Sequence, residues 1–299
     1  MLKKFQELIG RENVLTDELM KNHTTFKIGG PADIFLMPKT EEQIANVLKI
    51  AKENSFPVFI LGNGSNLLVG DKGIRGAVLC LYKNLNRLGV SGDEIYAGAG
   101  VLLSAASAIA ANSGLSGLEF ASGIPGTIGG AVYMNAGAYG PEMKDVIVSV
   151  RCMDSDGNIM ELKNEECEFG YRHSCFTNSD MVILGCTMKL QQGDVDEIRA
   201  KISELTKRRV TKQPVEKPSA GSTFKRPEGY FAGTLIEEAG LKGKRCGGAE
   251  VSEKHAGFII NAGEATAKDV LDLIEFVKNT VFEKNGVMLE PEVKLVGEF

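Results

Sequence analysis

The chain has 299 residues, 43% of them apolar, and a formal charge of -5; this is enough for two domains with ordinary cores, and too acidic for a general nucleic-acid binder, which needs net basic surface. Six cysteines without C-x-x-C spacing and only three histidines argue against zinc and iron-sulfur centres, and no apolar run approaches the roughly 20 residues that span a bilayer. The expectation is a soluble cytoplasmic protein with no bound metal, no membrane insertion and its cysteines mostly kept as buried thiols.

The first residues form an amphipathic helical start, with Leu2, Phe5, Leu8 and Ile9 on one side, and lack the continuous apolar core of a signal peptide. A strand is expected over residues 33–37, closed by Pro38. Thr40 then caps a helix in which Ile44, Val47, Leu48 and Ala51 form one apolar stripe ending near Asn54. With a strand at 57–61 this makes a β-α-β unit. Strands are expected at 76–82 and 94–99, and an alanine-rich helix at 101–113 stopped by Gly114. Residues 146–153 and 158–162 alternate around Asp156-Gly157, a pair suited to a tight hairpin turn, and a strand at 181–190 follows.

Asp194 starts a helix with Glu197 as its capping-box partner and Ile198, Ile202 and Leu205 as its apolar side. That helix ends in Lys207, Arg208, Arg209 and Lys212 before Gln213-Pro214, read as a domain boundary; a solvated helix end explains the cations equally well. Domains are thus expected at 1–209, with possible subdomains of about 1–75 and 76–209, and at 210–299. The second carries a short helix at 232–239, a strand at 257–261 and a long helix at 266–285 with Val270, Leu273, Ile274, Val277 and Val281 as its core face. Gly286 stops it, and a final strand at 288–296 carries Glu290 and Glu292.

Two glycine-rich stretches carry the chemistry. Residues 117–139 hold six glycines and almost no charge, so their backbone is expected to pack closely against another group, either a flat anionic cofactor held by bare N-H groups or simply a neighbouring element. The strand at 57–61 delivers a second polar loop, Gly62-Asn63-Gly64-Ser65-Asn66. Neither is a G-x-G-x-x-G or a P-loop, which disfavours the usual nucleotide folds. Arg172, in a loop, is suited to a bidentate clamp on a carboxylate, though a lone loop arginine is more often a surface ion pair. Ser222 in Ala220-Gly221-Ser222-Thr223 has no G-x-S-x-G elbow and no partner base, so it is a poor nucleophile; its hydroxyl can still give a proton to a carbanion or enolate. On a simple pleat at most one of Glu290 and Glu292 points inward.

The motifs NHTTFKIGGPAD (22–33), GNGSNLLV (62–69), SGIPGTIGGAVYMNAGAYG (122–140), GYRHSCF (170–176), PSAGSTFKRP (218–227) and LEPEV (289–293) together resemble the UDP-N-acetylenolpyruvoylglucosamine reductase family, MurB, nearly end to end. Only a few residues separate Ser174 from the strand at 181, so the chain resembles the shorter subclass that lacks an extra substrate-covering tyrosine loop.

The resemblance implies an α+β fold: an FAD-binding domain of the MurB and vanillyl-alcohol-oxidase-like (PCMH-type) superfamily plus a smaller C-terminal α+β substrate domain. It implies non-covalent FAD against Gly62, Asn63, Gly64, Ser65 and Asn66, and against Ser122, Gly123, Gly126, Thr127, Gly129 and Gly130, with Ile28, Gly29 and Gly30 nearby. NADPH would be co-substrate, and the enolpyruvyl ether of UDP-N-acetylglucosamine the hydride acceptor. Ser222 would donate the proton, Arg172 and Glu292 would act at the substrate carboxylate, and Lys212 and Arg226 would hold the UDP moiety of a protein expected to be monomeric. A superfamily oxidase with covalent FAD, or a non-catalytic flavin or nucleotide-sugar binding module, is the alternative.

Overall fold

A computed structural model describes residues 1–82 and 84–299. Helix and strand are mixed, with a five-stranded antiparallel sheet and helices α1 (Leu2–Ile9), α2 (Glu41–Glu53), α3 (Leu103–Asn112), α4 (Ile128–Tyr133), α5 (Val195–Lys212), α6 (Ala232–Glu238) and α7 (Ala267–Asn285). The α+β class is the one the resemblance implies.

The chain forms two compact units, and neither is continuous. The first comprises Met1–Thr16, Ile34–Asn63 and Gly76–Arg208; the second comprises Asp17–Asp33, Gly64–Arg75 and Arg209–Phe299. A single cut after residue 209 therefore misplaces two early segments. Neither carries a proline-rich linker or a composition change, so nothing local in the sequence marks the crossings.

In the first unit, α2 forms as its pattern requires. Thr40 accepts from the Gln43 amide at 3.2 Å, and the buried side chains are Ile44, Val47, Leu48 and Ala51. The strand Val58–Leu61 runs parallel to Ile74–Cys80. In the four-stranded sheet the order is Val14–Leu19, Pro31–Leu36, Ile74–Cys80, Val58–Leu61. The expected β-α-β unit thus has a strand inserted between its two strands, and Val14–Leu19, whose mostly exposed residues show no apolar alternation, is absent from the sequence reading.

The five-stranded sheet runs Ile159–Lys163, Ile147–Met153, Val182–Lys189, Glu94–Gly98, Leu88–Ser91. Its hairpin pairs Ile159 with Met153 across a five-residue connection rather than a two-residue turn. There the Asp154 side chain accepts from the amides of Asp156 and Asn158, both at 2.9 Å, and Gly157 takes φ +84°. One core joins both sheets of this unit, from Phe5 and Ile44 through Ile95, Val132 and Phe176 to Met188. Cys80, Cys152, Cys167 and Cys186 are buried; removal from water pushes the Cys152 thiol up to about 11 and those of Cys167 and Cys186 to about 12.

The second unit has its own core, in which Phe26, Ile28, Leu68, Leu235 and Ile259 meet the face of α7 made by Val270, Leu273, Ile274, Val277 and Val281. Three short antiparallel strands, Arg245–Cys246, Ala249–Val251 and Ile259–Asn261, lie in that order. Leu67–Val69 pairs in parallel with Lys294–Val296. The expected strand at 288–296 is therefore confined to its last three residues; ahead of it Pro291, which has no N-H to donate to a ladder, makes only an isolated bridge with Phe224.

Helix α7 is capped twice. Thr266 accepts from the Asp269 amide and Asp269 accepts from the Thr266 amide, both at 3.0 Å, while Asp71 accepts from the Ala267 and Lys268 amides at 2.8 and 3.1 Å. Hydrogen bonds from the backbone hold the Asp269 carboxyl below its usual range. The stability it contributes is present above the ordinary carboxylate pKa and is lost as pH falls through the lower folded value. Thr266→Ala removes one of these caps and is expected to destabilise the protein by about 1 kcal/mol, read as a lower denaturant midpoint with an unchanged slope.

Candidate active site

Within the first unit, Val58–Leu61 delivers Gly62 and Asn63 against the second glycine stretch. A Cβ on Gly62 would lie 2.5 Å from Thr127 Oγ1, and Asn63 Nδ2 donates to the Pro125 carbonyl at 2.6 Å. The two loops predicted from glycine content therefore meet here. Thr127 is buried and caps α4, with its hydroxyl 3.5 Å from the Gly130 amide.

The expectation of bare amides needs correction along α4. Ile128 N-H donates to Val101 O at 2.8 Å, and Gly129 N-H to Ala99 O at 2.9 Å. Glycine 129 is small because a Cβ would come within 3.0 Å of Ala99 Cβ. Gly130 differs: it is exposed, and a Cβ there would meet only Thr127 Oγ1 at an ordinary 3.7 Å. Protein packing does not demand glycine at 130, so the space is open to a ligand. Ser122 bonds to its own turn, donating to Glu119 O at 2.8 Å, and Gly123 beside it is half-buried. Gly126 O accepts from Leu103 N at 3.0 Å.

The remaining residues of the predicted cofactor set lie in the second unit, and packing accounts for three of their glycines. Ile28 is buried in its core. Gly29 takes φ +140°, and a Cβ on Gly30 would overlap the carbonyl oxygen of Asp71. Gly64 takes φ +60° with its missing side chain directed at His23 O. Ser65 is half-buried. Asn66 has a different role: its Nδ2 donates to Glu292 O at 3.2 Å while Lys294 N-H donates to Asn66 O at 3.0 Å.

Asn66 thereby fixes the segment that carries one candidate catalytic residue beside another. Glu292 N-H donates to Thr223 O at 2.8 Å, so Glu292 is held next to the Ser222 loop. Thr223 is buried; its amide donates to Gly257 O at 2.8 Å and its hydroxyl accepts from the Ile259 amide at 2.9 Å. Ser222 itself is exposed, preceded by Gly221 at φ +78°. The neighbouring acid separates cleanly: Glu290 is exposed and pairs with Lys225 at 3.1 Å, while Glu292 is half-buried. Neither Thr223 nor the clamp by Asn66 was legible in the sequence, because both act through main-chain atoms distant along the chain.

Arg172 belongs to the first unit. It is half-buried and takes φ +53°, a left-handed conformation that few non-glycine residues adopt and that clusters at functional sites. Its Nη2 donates to Gly137 O at 3.3 Å, and its guanidinium lies 4.9 Å from the centre of the Tyr171 ring. Lys212 is exposed at the end of α5. Arg226 is exposed, stacked 4.0 Å from the centre of the Phe231 ring, with Nε donating to Tyr230 O at 3.3 Å. Thus Ser222, Glu292 and Asn66 are brought together within one unit, and Gly62, Asn63 and Thr127 within the other.

Among the described residues, no helix is long and apolar enough to cross a membrane, and no group of three or more His, Cys, Asp or Glu side chains is placed to hold a metal ion.

Two family models match. Residues 213–296 match the C-terminal domain of UDP-N-acetylenolpyruvoylglucosamine reductase, and residues 32–163 match an FAD binding domain. A UDP-N-acetylenolpyruvoylglucosamine reductase of Clostridioides difficile is 54% identical over 97% of this chain and 96% of its own length. Its counterpart in Clostridium tetani is 56% identical over 98% of this chain and 95% of its own. The crystal structure of the reductase (MurB) from Thermus caldophilus superimposes with a TM-score of 0.82 at 38% identity, covering 93% of this chain and 97% of that one. An FAD-binding domain, a matching C-terminal domain and relatives of the same length together place this chain in the UDP-N-acetylenolpyruvoylglucosamine reductase family of flavoenzymes.

Proposed function

We propose that the chain reduces UDP-N-acetylglucosamine enolpyruvate to UDP-N-acetylmuramate at the expense of NADPH, as a cytoplasmic step of peptidoglycan precursor synthesis. The observation that carries this reading is the clamp in the second unit, where the Thr223 carbonyl holds Glu292 beside Ser222 and Asn66 holds Glu292 from the other side. An exposed serine without a base suits a single proton donation far better than nucleophilic attack.

Gly62, Asn63, Gly123, Thr127 and Gly130 fit FAD on this structure. The amides of Asn63, Gly123 and Thr127 have no protein acceptor among the described residues, and Gly130 leaves open space. When bound, non-covalent FAD would supply the two-electron chemistry that links NADPH to the enolpyruvyl double bond. The residues then divide the remaining work. Ser222 Oγ gives its proton to the carbon that becomes carbanionic in the substrate. Arg172 pairs with the substrate carboxylate, spreading the charge that develops as the enolate forms. Glu292 is assigned to the substrate carboxylate. Lys212 and Arg226 hold the diphosphate, and the stack on Phe231 pre-orients the Arg226 fork. The unit made of Met1–Thr16, Ile34–Asn63 and Gly76–Arg208 is assigned chiefly to FAD, and the unit made of Asp17–Asp33, Gly64–Arg75 and Arg209–Phe299 chiefly to substrate.

An anaerobic two-step titration tests this. NADPH is expected to bleach the flavin of the purified protein, and UDP-N-acetylglucosamine enolpyruvate, added after excess nucleotide is removed, to restore its absorbance. Bleaching without return would reject the substrate.

A further inference from the structure

The turn that carries Arg172 is fastened at both ends to the C-terminal end of α4, the helix that also bears Gly129 and Gly130. At one end Asn135, completely buried, donates from Nδ2 to Gly170 O at 2.9 Å and to Glu142 Oε2 at 3.0 Å, while its Oδ1 accepts from the Lys144 amide at 2.9 Å. At the other end Ser174, also completely buried, donates from Oγ to Tyr133 O at 2.8 Å. Between these anchors the turn closes on itself: Gly170 N-H donates to His173 O at 3.0 Å and His173 N-H to Gly170 O at 3.3 Å. Arg172 sits at its tip with φ +53°, and Gly137, whose carbonyl takes the guanidinium, lies in the loop that Asn135 begins.

A left-handed non-glycine residue persists only where its surroundings over-determine it. The over-determination here is the carboxamide of Asn135. Only a side chain with two donors and an acceptor satisfies Gly170, Glu142 and Lys144 at once; an aspartate would donate nothing and would set a second carboxylate against Glu142. Asn135 itself takes φ +41°, so backbone strain is present at both the anchor and the residue it holds.

We propose that Asn135 is a positioning residue for Arg172: its carboxamide fixes the 170–173 turn so that the guanidinium is aimed before substrate arrives. This rests on the role of Arg172 at the substrate carboxylate proposed above. The mechanism is steric and electrostatic preorganisation, for which a displacement near 1 Å costs about 100-fold in rate.

The test is a double-mutant cycle on the FAD-loaded enzyme with Asn135→Ala, Arg172→Ala and the pair. Two quantities are read: the rate at which UDP-N-acetylglucosamine enolpyruvate reoxidises the bleached flavin, and the calorimetric Kd for UDP-N-acetylmuramate. Asn135→Ala is expected to slow reoxidation by about tenfold to 100-fold and to weaken product binding by about tenfold, with NADPH bleaching unchanged. In the Arg172→Ala background it is expected to add nothing, because residues acting through one another are not additive. Additive losses, or normal reoxidation in Asn135→Ala, would overturn the proposal while leaving the reductase reading intact; failure of the wild type to be reoxidised would remove both. Should Asn135→Ala lose its flavin, Ser174→Ala, which frees the other end of the turn, is expected to give the same reoxidation defect, again non-additive with Arg172→Ala, and normal reoxidation there would refute the anchoring.

Discussion

Ser222→Ala is expected to stop turnover while leaving the flavin reducible by NADPH. Ser222 is exposed beside a buried threonine whose amide, hydroxyl and carbonyl are all engaged, by Gly257, Ile259 and Glu292 in turn. Those bonds belong to Thr223, so removing one hydroxyl at 222 leaves the loop where it is. Proton transfer by a positioned side chain contributes about 10²–10⁴-fold, and a loss in that range is expected in the step where substrate reoxidises the flavin. Bleaching by NADPH involves no proton from Ser222 and should keep its wild-type rate. Ser222→Cys, which keeps a donor in place, should retain more activity than alanine. Stopped-flow absorbance separates the half-reactions; equal activity of the two variants would rule out proton donation from this position.

The anchors of this serine also show what a single sequence can express. Amphipathic helices were readable because every element of their signal is local: Thr40 and the stripe of α2, or the apolar face of α7 and Gly286 at φ +70°, lie within one helix length. The same holds for the hairpin around Gly157, whereas glycine content predicted close packing of residues 117–139 without saying that the 62–63 loop would be the neighbour. Asp71 capping α7 from 196 positions away was not readable, nor was the place of the strand expected at 76–82, which the sheet inserts between the two strands of the first β-α-β pattern. Such contacts are specified by the whole chain and leave no local period or cap to detect.

At the site, the residue types were legible and their support was not. Arg172, Ser222 and Glu292 were found through the resemblance, since a loop arginine, a turn serine and a strand glutamate are each ambiguous by themselves. Their immediate structural causes, namely the left-handed turn under Arg172, the engaged Thr223 and the Asn66 clamp, are invisible in sequence because they run through backbone carbonyls and amides that every residue possesses. The final strand failed for a plainer reason. Alternation from 288 onward reads as a strand, but Pro291 interrupts the ladder and only Lys294–Val296 pairs.

The structure also divides the glycines that the sequence groups together, and Gly30→Ala against Gly130→Ala measures that division. Gly30 donates its amide to Gly70 O at 3.0 Å and accepts from Met20 N at 3.0 Å, with its α-carbon turned into the backbone of Asp71 and Gly73. A methyl group there must displace main chain, not a flexible side-chain end, and a loss of about 3 kcal/mol or more is expected. In the FAD-stripped protein that should lower the thermal midpoint by roughly 5 to 10 °C. Gly130 lies in α4, exposed and sterically free. Alanine there is expected to stabilise the stripped protein by roughly 0.5 to 1 kcal/mol, because glycine is the poorer helix former. If flavin approaches the backbone at this position, the same methyl group must weaken FAD binding, so Gly130→Ala should melt higher when stripped and yet retain less flavin through gel filtration. Unchanged retention would remove Gly130 from the cofactor site, whereas a wild-type midpoint in Gly30→Ala would refute the packing that makes glycine obligatory there.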